Sequence, residues 1–119
     1  MKHQRAAALV IAAGLVAHAQ QVYSPDDPGV SLPTVVKQVK PQYTQEAMEQ
    51  RIEGTTHLEC VVRDNGAVAD IRVLESLDAT YGLDEQAVRS LRQWEFRPGT
   101  LGGKPVAVRV HVVMSFTLK

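Results

Sequence analysis

Hydrophobic and polar residues alternate almost without error along the end of the chain, over residues 106–118. Apolar residues occupy every second position, and polar residues such as Arg109 and His111 lie between them. A period of two is typical of a strand that buries one face. A strand of this length at a terminus lies either inside a sheet or at its edge, where unpaired N–H and C=O groups can pair with another chain.

Two more strands are predicted in the middle of the chain, joined by a tight turn. The first covers residues 55–64 and the second covers residues 67–76. Between them, Asn65-Gly66 is a strong hairpin signal because both residue types tolerate a positive φ. On the first strand, Leu58, Cys60 and Val62 are expected to face inward; on the second, Ala69, Ile71 and Val73 are expected to share one face.

Two helices are predicted from apolar residues spaced at the helical period. A short helix covers residues 44–52, with Thr44 as its N-cap and Gly54 at the position of a left-handed C-terminal cap. A longer helix covers residues 83–94, and Asp84 in its first turn complements the positive end of the helix. The apolar stripe of the longer helix consists of Leu83, Ala87, Leu91 and Trp94.

The order helix, strand, strand, helix, strand predicts an α+β fold in which two helices cover one face of a single sheet. The tight turn makes the first two strands antiparallel neighbours. The helix that follows returns the chain to its starting end, so a wholly antiparallel sheet must have the strand order 2-1-3. We therefore expect a three-stranded antiparallel sheet with the last strand at one edge.

The amino-terminal residues have the features of an export signal. Lys2 and Arg5 are followed by a twelve-residue apolar run over residues 6–17 and by a small-x-small motif that ends at Ala19. We interpret residues 1–19 as a signal peptide. A short uncleaved membrane tether is the alternative, although a bilayer core needs about twenty apolar residues.

The rest of the chain divides into a leader and one domain. Residues 20–40 contain a turn-rich stretch and scattered prolines, so we expect a flexible leader with at most a short strand. Residues 41–119 have the length of a single domain.

Charge and cysteine content exclude some functions. Because residues 1–19 contain Lys2 and Arg5 and no acid, the remaining chain has 11 of the 13 basic side chains and all 13 acidic ones. This balance argues against a nucleic-acid partner, which would require a basic patch. Cys60 is the only cysteine, so the domain must be stable without an internal disulfide.

Three side chains on the outer face of the predicted sheet, His57, Glu59 and His111, have the composition of a metal site. Two histidines and a carboxylate suit a transition metal with open positions, and the alternative is a solvated sheet face without a metal. Cys60 alternates with core residues and is expected to be a buried thiol. With no phosphate loop or nucleophile motif, we expect a protein that is not an enzyme and has no cofactor.

A series of short motifs begins at Pro41. In order they are Pro41-x-Tyr43, Ala47, Arg51-Ile52-Glu53-Gly54, Asn65-Gly66, Leu83-Asp84-x-x-Ala87, Trp94-Glu95-Phe96-x-Pro98-Gly99, Gly103-x-Pro105 and Phe116. In this order and spacing they resemble the C-terminal domain of the TonB energy transducers, over residues 41–118. The resemblance makes residues 41–119 a TonB C-terminal-like domain and implies the fold described above.

The resemblance also implies a periplasmic role in energy-dependent transport across the outer membrane. The last strand would capture an extended peptide of an outer-membrane TonB-dependent receptor by β-strand addition. The binding residues implied are Val106, Ala107, Val108, Arg109, Val110, His111, Val112 and Val113. An inner-membrane motor complex is a further expected partner if residues 1–19 are a retained tether.

Two features differ from the family's pattern. Residues 1–19 are not a convincing membrane span, and the 21 residues from 20 to 40, which reach at most about 70 Å, do not form a proline-rich spacer. Two other hypotheses therefore stay open. The edge strand could join two copies of the domain in a homodimer, or the two histidines and Glu59 could serve a secreted metal-dependent enzyme.

Overall fold

The computed structural model describes residues 21–119. The predicted signal peptide, residues 1–19, lies outside them. Within the described residues the chain forms eight strands and two helices. Their bounds are β1 (Val22–Tyr23), β2 (Val30–Ser31), β3 (Thr34–Lys37), α1 (Gln45–Glu49), β4 (Gly54–Val62), β5 (Val68–Glu75), α2 (Leu83–Leu91), β6 (Glu95–Arg97), β7 (Gly99–Leu101) and β8 (Lys104–Phe116).

Three long strands form the centre of the main sheet in the predicted order. β5 pairs with β4, and β4 pairs with β8, in both cases antiparallel. The ladder between β4 and β8 is regular, because each residue from Gly54 to Val62 lies opposite one residue of β8, from Phe116 back to Val108. The α+β class and the order of the central strands are therefore confirmed.

The leader has more secondary structure than the sequence predicts. In place of a flexible segment with at most one short strand, residues 21–40 contain β1, β2 and β3. β1 pairs with β8, β2 with β7, and β3 with β6. These strands are held by backbone pairing. Because each has only two to four residues, their side chains show no detectable periodicity.

α1 begins where the sequence predicts. Thr44 is its N-cap, because the side-chain oxygen of Thr44 accepts a hydrogen bond from the N–H of Ala47 at 3.1 Å. The same hydroxyl donates to the carbonyl oxygen of Tyr81 at 2.7 Å. One threonine therefore both starts α1 and connects it to the loop before α2.

The carboxyl end of α1 differs from the prediction. The helix ends at Glu49, and the left-handed residue after it is Arg51, with a φ of 55°, rather than Gly54. The N–H of Ile52 donates to the carbonyl oxygen of Ala47 at 3.0 Å, which closes the helix in a Schellman motif. Gly54 instead opens β4.

A bulge in β5 changes which of its side chains enter the core. Asp70 has a φ of 52°, and the pairing with β4 shifts at this point. The extra residue of a bulge reverses the alternation of faces, so Val68 and Ile71, three positions apart, both pack against the core. The predicted face of Ala69, Ile71 and Val73 is therefore wrong, and Val73 is 37% exposed.

The helices enclose the core against one face of the sheet. Three members of the predicted stripe, Leu83, Ala87 and Leu91, lie in α2 and are completely buried, but the helix ends at Leu91 and not at the predicted Trp94. Trp94 follows the helix, and its indole N–H donates to the carbonyl oxygen of Val39 at 2.8 Å, which holds the end of the leader against the domain. The sheet contributes Leu58, Cys60, Val62, Val112, Met114 and Phe116 to the same core.

Asp84 connects three parts of the fold. Its carboxylate accepts hydrogen bonds from the hydroxyl of Thr56 at 3.0 Å, from the N–H groups of Leu77 and Asp78 at 3.1 and 3.2 Å, and from the hydroxyl of Ser76. Partial burial alone would raise the pKa of Asp84, but these four bonds outweigh burial and hold the pKa below its usual value. Asp84 thus joins β4, the loop after β5 and α2, beyond the helix-start role that the sequence predicts.

Replacing Asp84 with asparagine should remove part of the pH dependence of stability. The carboxylate contributes stability that is fully present above its unfolded-state pKa of about 3.9 and is lost as the pH falls through the lower folded-state pKa. We expect Asp84→Asn to cost about 1 kcal/mol at neutral pH, a small value because solvent screens the group. The cost should shrink in acid. Urea unfolding between pH 3 and 7 measures it.

Glu85→Gln is the matched control for this experiment, because Glu85 is exposed and only pairs with Arg89 at 3.6 Å. Its effect should stay within about 0.5 kcal/mol at every pH. An equal pH response in both variants would contradict the role given to Asp84.

Gly66 should be far less tolerant of alanine than Gly103, although their φ values of 86° and 81° are similar. A Cβ on Gly66 would lie 2.0 Å from the carbonyl oxygen of Phe96, whereas a Cβ on Gly103 meets nothing within 4 Å. We expect Gly103→Ala to cost about 1 kcal/mol and Gly66→Ala about 3 kcal/mol or more. Chemical denaturation compares the two, and equal costs would disprove the close approach.

Candidate functional site

The central sheet has two edges, and they differ in regularity. β5 forms one edge, where the bulge at Asp70 and a second register shift near Leu74 interrupt its pairing with β4. Bulges and charged side chains protect an edge from pairing with other chains, and β5 also carries Arg72 and Glu75. β8 forms the other edge and has no register shift along β4. β8 is therefore the better template for an added strand.

Only part of β8 is free on the side away from β4. Its first residues, Lys104 to Val106, pair with β7, and Ala107 and Val108 pair in parallel with β1. Within residues 21–119, no strand pairs with this side of residues 109–116, which we call the open edge. Three of the eight residues predicted to bind a partner thus already have partners in the chain: Val106 pairs with β7, and Ala107 and Val108 pair with leader strand β1.

The hairpin between β4 and β5 determines which amides reach the open edge. The N–H of Arg63 donates to the carbonyl oxygen of Ala67 at 2.8 Å, so Arg63 directs its backbone groups toward β5. These directions alternate along an antiparallel strand, and Val62 therefore directs its groups toward β8, where it lies opposite Val108. By the same alternation, residues 110, 112, 114 and 116 bond to β4. Residues 109, 111, 113 and 115 direct their N–H and C=O groups outward.

A groove runs between the open edge and the leader. One cavity of about 400 Å³ lies along residues 110–113, and leader residues between 32 and 35 form its other wall. A second cavity of about 530 Å³ lies along residues 113–115, opposite residues 38–41. Trp94 lines both cavities. We call this space the edge groove, and it can accommodate the side chains of a strand laid along β8.

The two ends of the edge groove differ in polarity. The end near Val110 is lined mainly by apolar residues together with His111, and two of the apolar residues, Leu32 and Val35, are 57% and 47% exposed. The end near Ser115 is lined by Gln38 and Lys40. The sequence pattern did not predict that the leader forms this side of the groove. The available signal was the group of apolar residues in the proline-flanked segment of the leader.

The structure brings together two of the three candidate metal ligands. His57 Nδ1 and His111 Nε2 are 3.3 Å apart, and His57 Nε2 lies 3.4 Å from a carboxylate oxygen of Glu75. Glu59 does not join them and instead pairs with two arginines. Across residues 21–119, no cluster of three or more His, Cys, Asp or Glu side chains is arranged to hold a metal ion.

Cys60 lies in the core, as predicted. Burial, with a smaller contribution from the charge of Glu59, raises the pKa of the Cys60 thiol to about 11. At neutral pH the sulfur is therefore protonated, and a protonated, buried thiol is a poor nucleophile.

Some structural-motif residues of the sequence line the edge groove, and others pack around it. Tyr43 packs edge-on against Phe116, with ring centroids 5.5 Å apart. Phe96 and Trp94 form part of the floor of the edge groove. Pro105 lies opposite Thr100 where β7 covers β8.

None of the helices in the described part of the chain has the length and apolar character needed to cross a membrane.

Comparison with known proteins identifies the family. Residues 39–118 match the family model described as the Gram-negative bacterial TonB protein C-terminal. A solution NMR structure of the TonB C-terminal domain from Pseudomonas aeruginosa superposes with a TM-score of 0.60 at 26% identity, covering 81% of this chain and 93% of that chain.

Two curated relatives are both named Protein TonB. The one from Vibrio cholerae is 36% identical over 91 residues, which are 76% of this chain and 37% of the relative. The one from Pseudomonas aeruginosa is 29% identical over 79 residues, which are 66% of this chain and 23% of the relative. The chain thus spans less than half of the length of the relatives it matches.

Amide hydrogen exchange should alternate along the open edge. The N–H groups of Val110, Val112 and Met114 bond to β4, so they should exchange roughly a thousandfold or more slowly than those of His111, Val113 and Ser115, which face outward. Exchange followed by NMR measures each amide. Equal protection of both sets would mean that another strand covers the edge, and the reverse alternation would contradict the directions derived above.

Proposed function

Because this chain belongs to the Gram-negative bacterial TonB C-terminal family, a domain of transport energy transducers, we propose that it captures an extended peptide of an outer-membrane TonB-dependent receptor. The peptide would be added as a strand to the open edge of β8. The observation that carries this proposal is the regular, uncovered run of residues 109–116. Four of these residues direct both backbone groups outward, the arrangement that β-strand addition uses.

The leader supports the proposal with a strand of its own. β1 pairs in parallel with Ala107 and Val108, so this side of β8 already accepts a short added strand. Hydrogen bonds between Ser24 and Asp27 then form a turn directly after β1. An added peptide would continue the line of β1 from Arg109 onward, and β1 would limit how far the peptide can extend in that direction.

The size of the open edge favours reversible binding. Four residues with two outward groups each can form about eight backbone hydrogen bonds, each with a net value of about 1 kcal/mol. Association costs roughly 4–15 kcal/mol, so backbone pairing alone gives weak binding. Side chains in the edge groove must supply the remainder, and its apolar end favours apolar residues at alternate positions of the peptide. Reversible capture suits a transducer that must release its receptor.

The remaining parts of the proposal concern location and partners. We propose a periplasmic protein that reaches its compartment through residues 1–19, as a signal peptide or a short inner-membrane tether. In the tethered case a motor complex in the inner membrane is a second partner. The role is binding rather than catalysis, without a cofactor or a nucleic acid.

A homodimer is the second candidate, and the regularity of β8 favours it too. Two copies of the open edge, paired antiparallel about a two-fold axis, would satisfy both edges at once. Light scattering over a concentration series separates the candidates. A monomer at all concentrations rules out the dimer, whereas a dimer that persists in excess peptide rules out capture at this edge.

Val113→Pro should weaken peptide binding much more than Val113→Ala. Proline removes the outward N–H of residue 113 and places its ring against the added strand, whereas alanine keeps the N–H and shortens only the side chain. We expect roughly a tenfold or greater loss for proline and less than about fivefold for alanine. Fluorescence anisotropy measures both, with a peptide of roughly ten residues from the plug of a receptor encoded in the same genome.

Two controls accompany this test. Circular dichroism and the thermal midpoint show whether the proline variant is folded, which we expect because its N–H makes no bond within the sheet. Two further copies of the peptide are N-methylated, one at the odd-numbered and one at the even-numbered residues. Only the copy whose methyl groups replace the N–H groups that face β8 should bind poorly. Equal affinity of the folded proline variant and the alanine variant would refute the proposal.

A further inference from the structure

We propose that His57 and His111 form a binding site for a divalent transition metal on the exposed face of the sheet. The metal proposal rests on side chains of β4 and β8, whereas the peptide proposal rests on the backbone of the open edge, and His111 belongs to both because it also lines the edge groove. The ligands are two imidazole nitrogens, and the remaining coordination positions are open to water.

The register of the sheet brings the two histidines together. His57 lies opposite Val113, and His111 lies opposite Glu59, so the histidines are diagonal neighbours on adjacent strands. Diagonal neighbours are within reach of aromatic side chains. Because this stretch of the ladder between β4 and β8 contains no register shift, the backbone keeps the two residues diagonal neighbours.

The distance between the nitrogens fits two ligands of one metal ion. Zinc binds imidazole nitrogen at 2.0–2.1 Å with tetrahedral geometry, which separates two nitrogen ligands by about 3.3–3.4 Å. His57 Nδ1 and His111 Nε2 are 3.3 Å apart, a hydrogen-bond contact in which a metal ion would take the place of the shared proton. The ring centroids are 5.3 Å apart and the rings are tilted by 48°, so the rings are not stacked face to face.

Glu75 contacts the other ring nitrogen of His57. Its carboxylate oxygen lies 3.4 Å from His57 Nε2. A carboxylate at the second nitrogen fixes the tautomer and orientation of a metal-binding histidine. The contact leaves Nδ1 of His57 as the nitrogen that faces His111. We therefore assign Glu75 a positioning role.

The surrounding charges explain why Glu59 is not a ligand. Arg72 lies 3.1 Å and Arg109 lies 3.6 Å from the same oxygen of Glu59. These two cations neutralise Glu59 and occupy one of its oxygens. The charged groups around the histidines on β4, β5 and β8 are therefore two carboxylates and two guanidinium groups. Because both carboxylates already contact other side chains, the imidazole nitrogens are the available metal donors.

The donor type limits the class of metal. Imidazole suits zinc, copper and nickel, whereas magnesium and calcium prefer oxygen. Two protein ligands on an exposed surface bind more weakly than the four of a closed structural site. A metal also requires neutral imidazoles, so acid should release it.

Isothermal titration calorimetry with zinc chloride on the full, chelator-treated chain tests the site. Wild type should show one zinc site that is absent from His111→Ala, while magnesium chloride gives no binding to either protein. His3 and His18 are present in both proteins, so any binding there cancels in the comparison. No zinc binding by wild type, or the same binding by His111→Ala, would overturn the proposal.

Two further variants distinguish the role of each carboxylate. Glu75→Gln should weaken zinc binding about tenfold, the loss typical of a positioning residue, whereas Glu59→Gln should leave it nearly unchanged. Nickel added below one equivalent should broaden the NMR signals of amides near His57 and His111 first. Broadening elsewhere in residues 21–119 instead, or a larger loss in Glu59→Gln than in Glu75→Gln, would contradict the assignment.

Discussion

The regular ladder between β4 and β8 is the constraint on which the rest of the structure depends. Nine consecutive residues of β4 pair one to one with nine of β8. Paired residues therefore point their side chains to the same face of the sheet over the whole contact. Their inward side chains form the sheet side of the core against both helices. The same pairing directs alternate amides of β8 outward and brings His57 beside His111. One uninterrupted register thus determines the core, the open edge and the histidine pair.

An open strand edge is a hazard for a soluble domain, and this fold limits the hazard in two ways. At the β5 edge, bulges and charged residues disturb the pattern that a new strand would need. At the β8 edge, β7 and β1 cover the first residues, and the leader forms a wall along the remainder. The regular unpaired backbone of β8 is therefore confined to residues 109–116, along the edge groove.

Side-chain periodicity explains which parts of this structure could be predicted from the sequence. The alternation over residues 106–118 and the stripe of α2 report burial of one face, so the central strands, their order and the core were predictable. Bulges, left-handed residues and backbone pairings of short strands leave no such pattern. For that reason the sequence pattern grouped Ala69 with Ile71 on one face, placed the cap of α1 at Gly54 and left β1 undetected. The pairing of His57 with Glu75 depends on the β4–β5 register and could not be predicted either.

Intermolecular NOEs test the central claim most directly. A labelled sample of this chain with an unlabelled receptor-plug peptide should give contacts between the peptide backbone and the amides of residues 109, 111, 113 and 115. These contacts would run in the sequential order of a paired strand along the edge groove. Contacts confined to β5 or to the helices, with none along residues 109–116, would contradict the account.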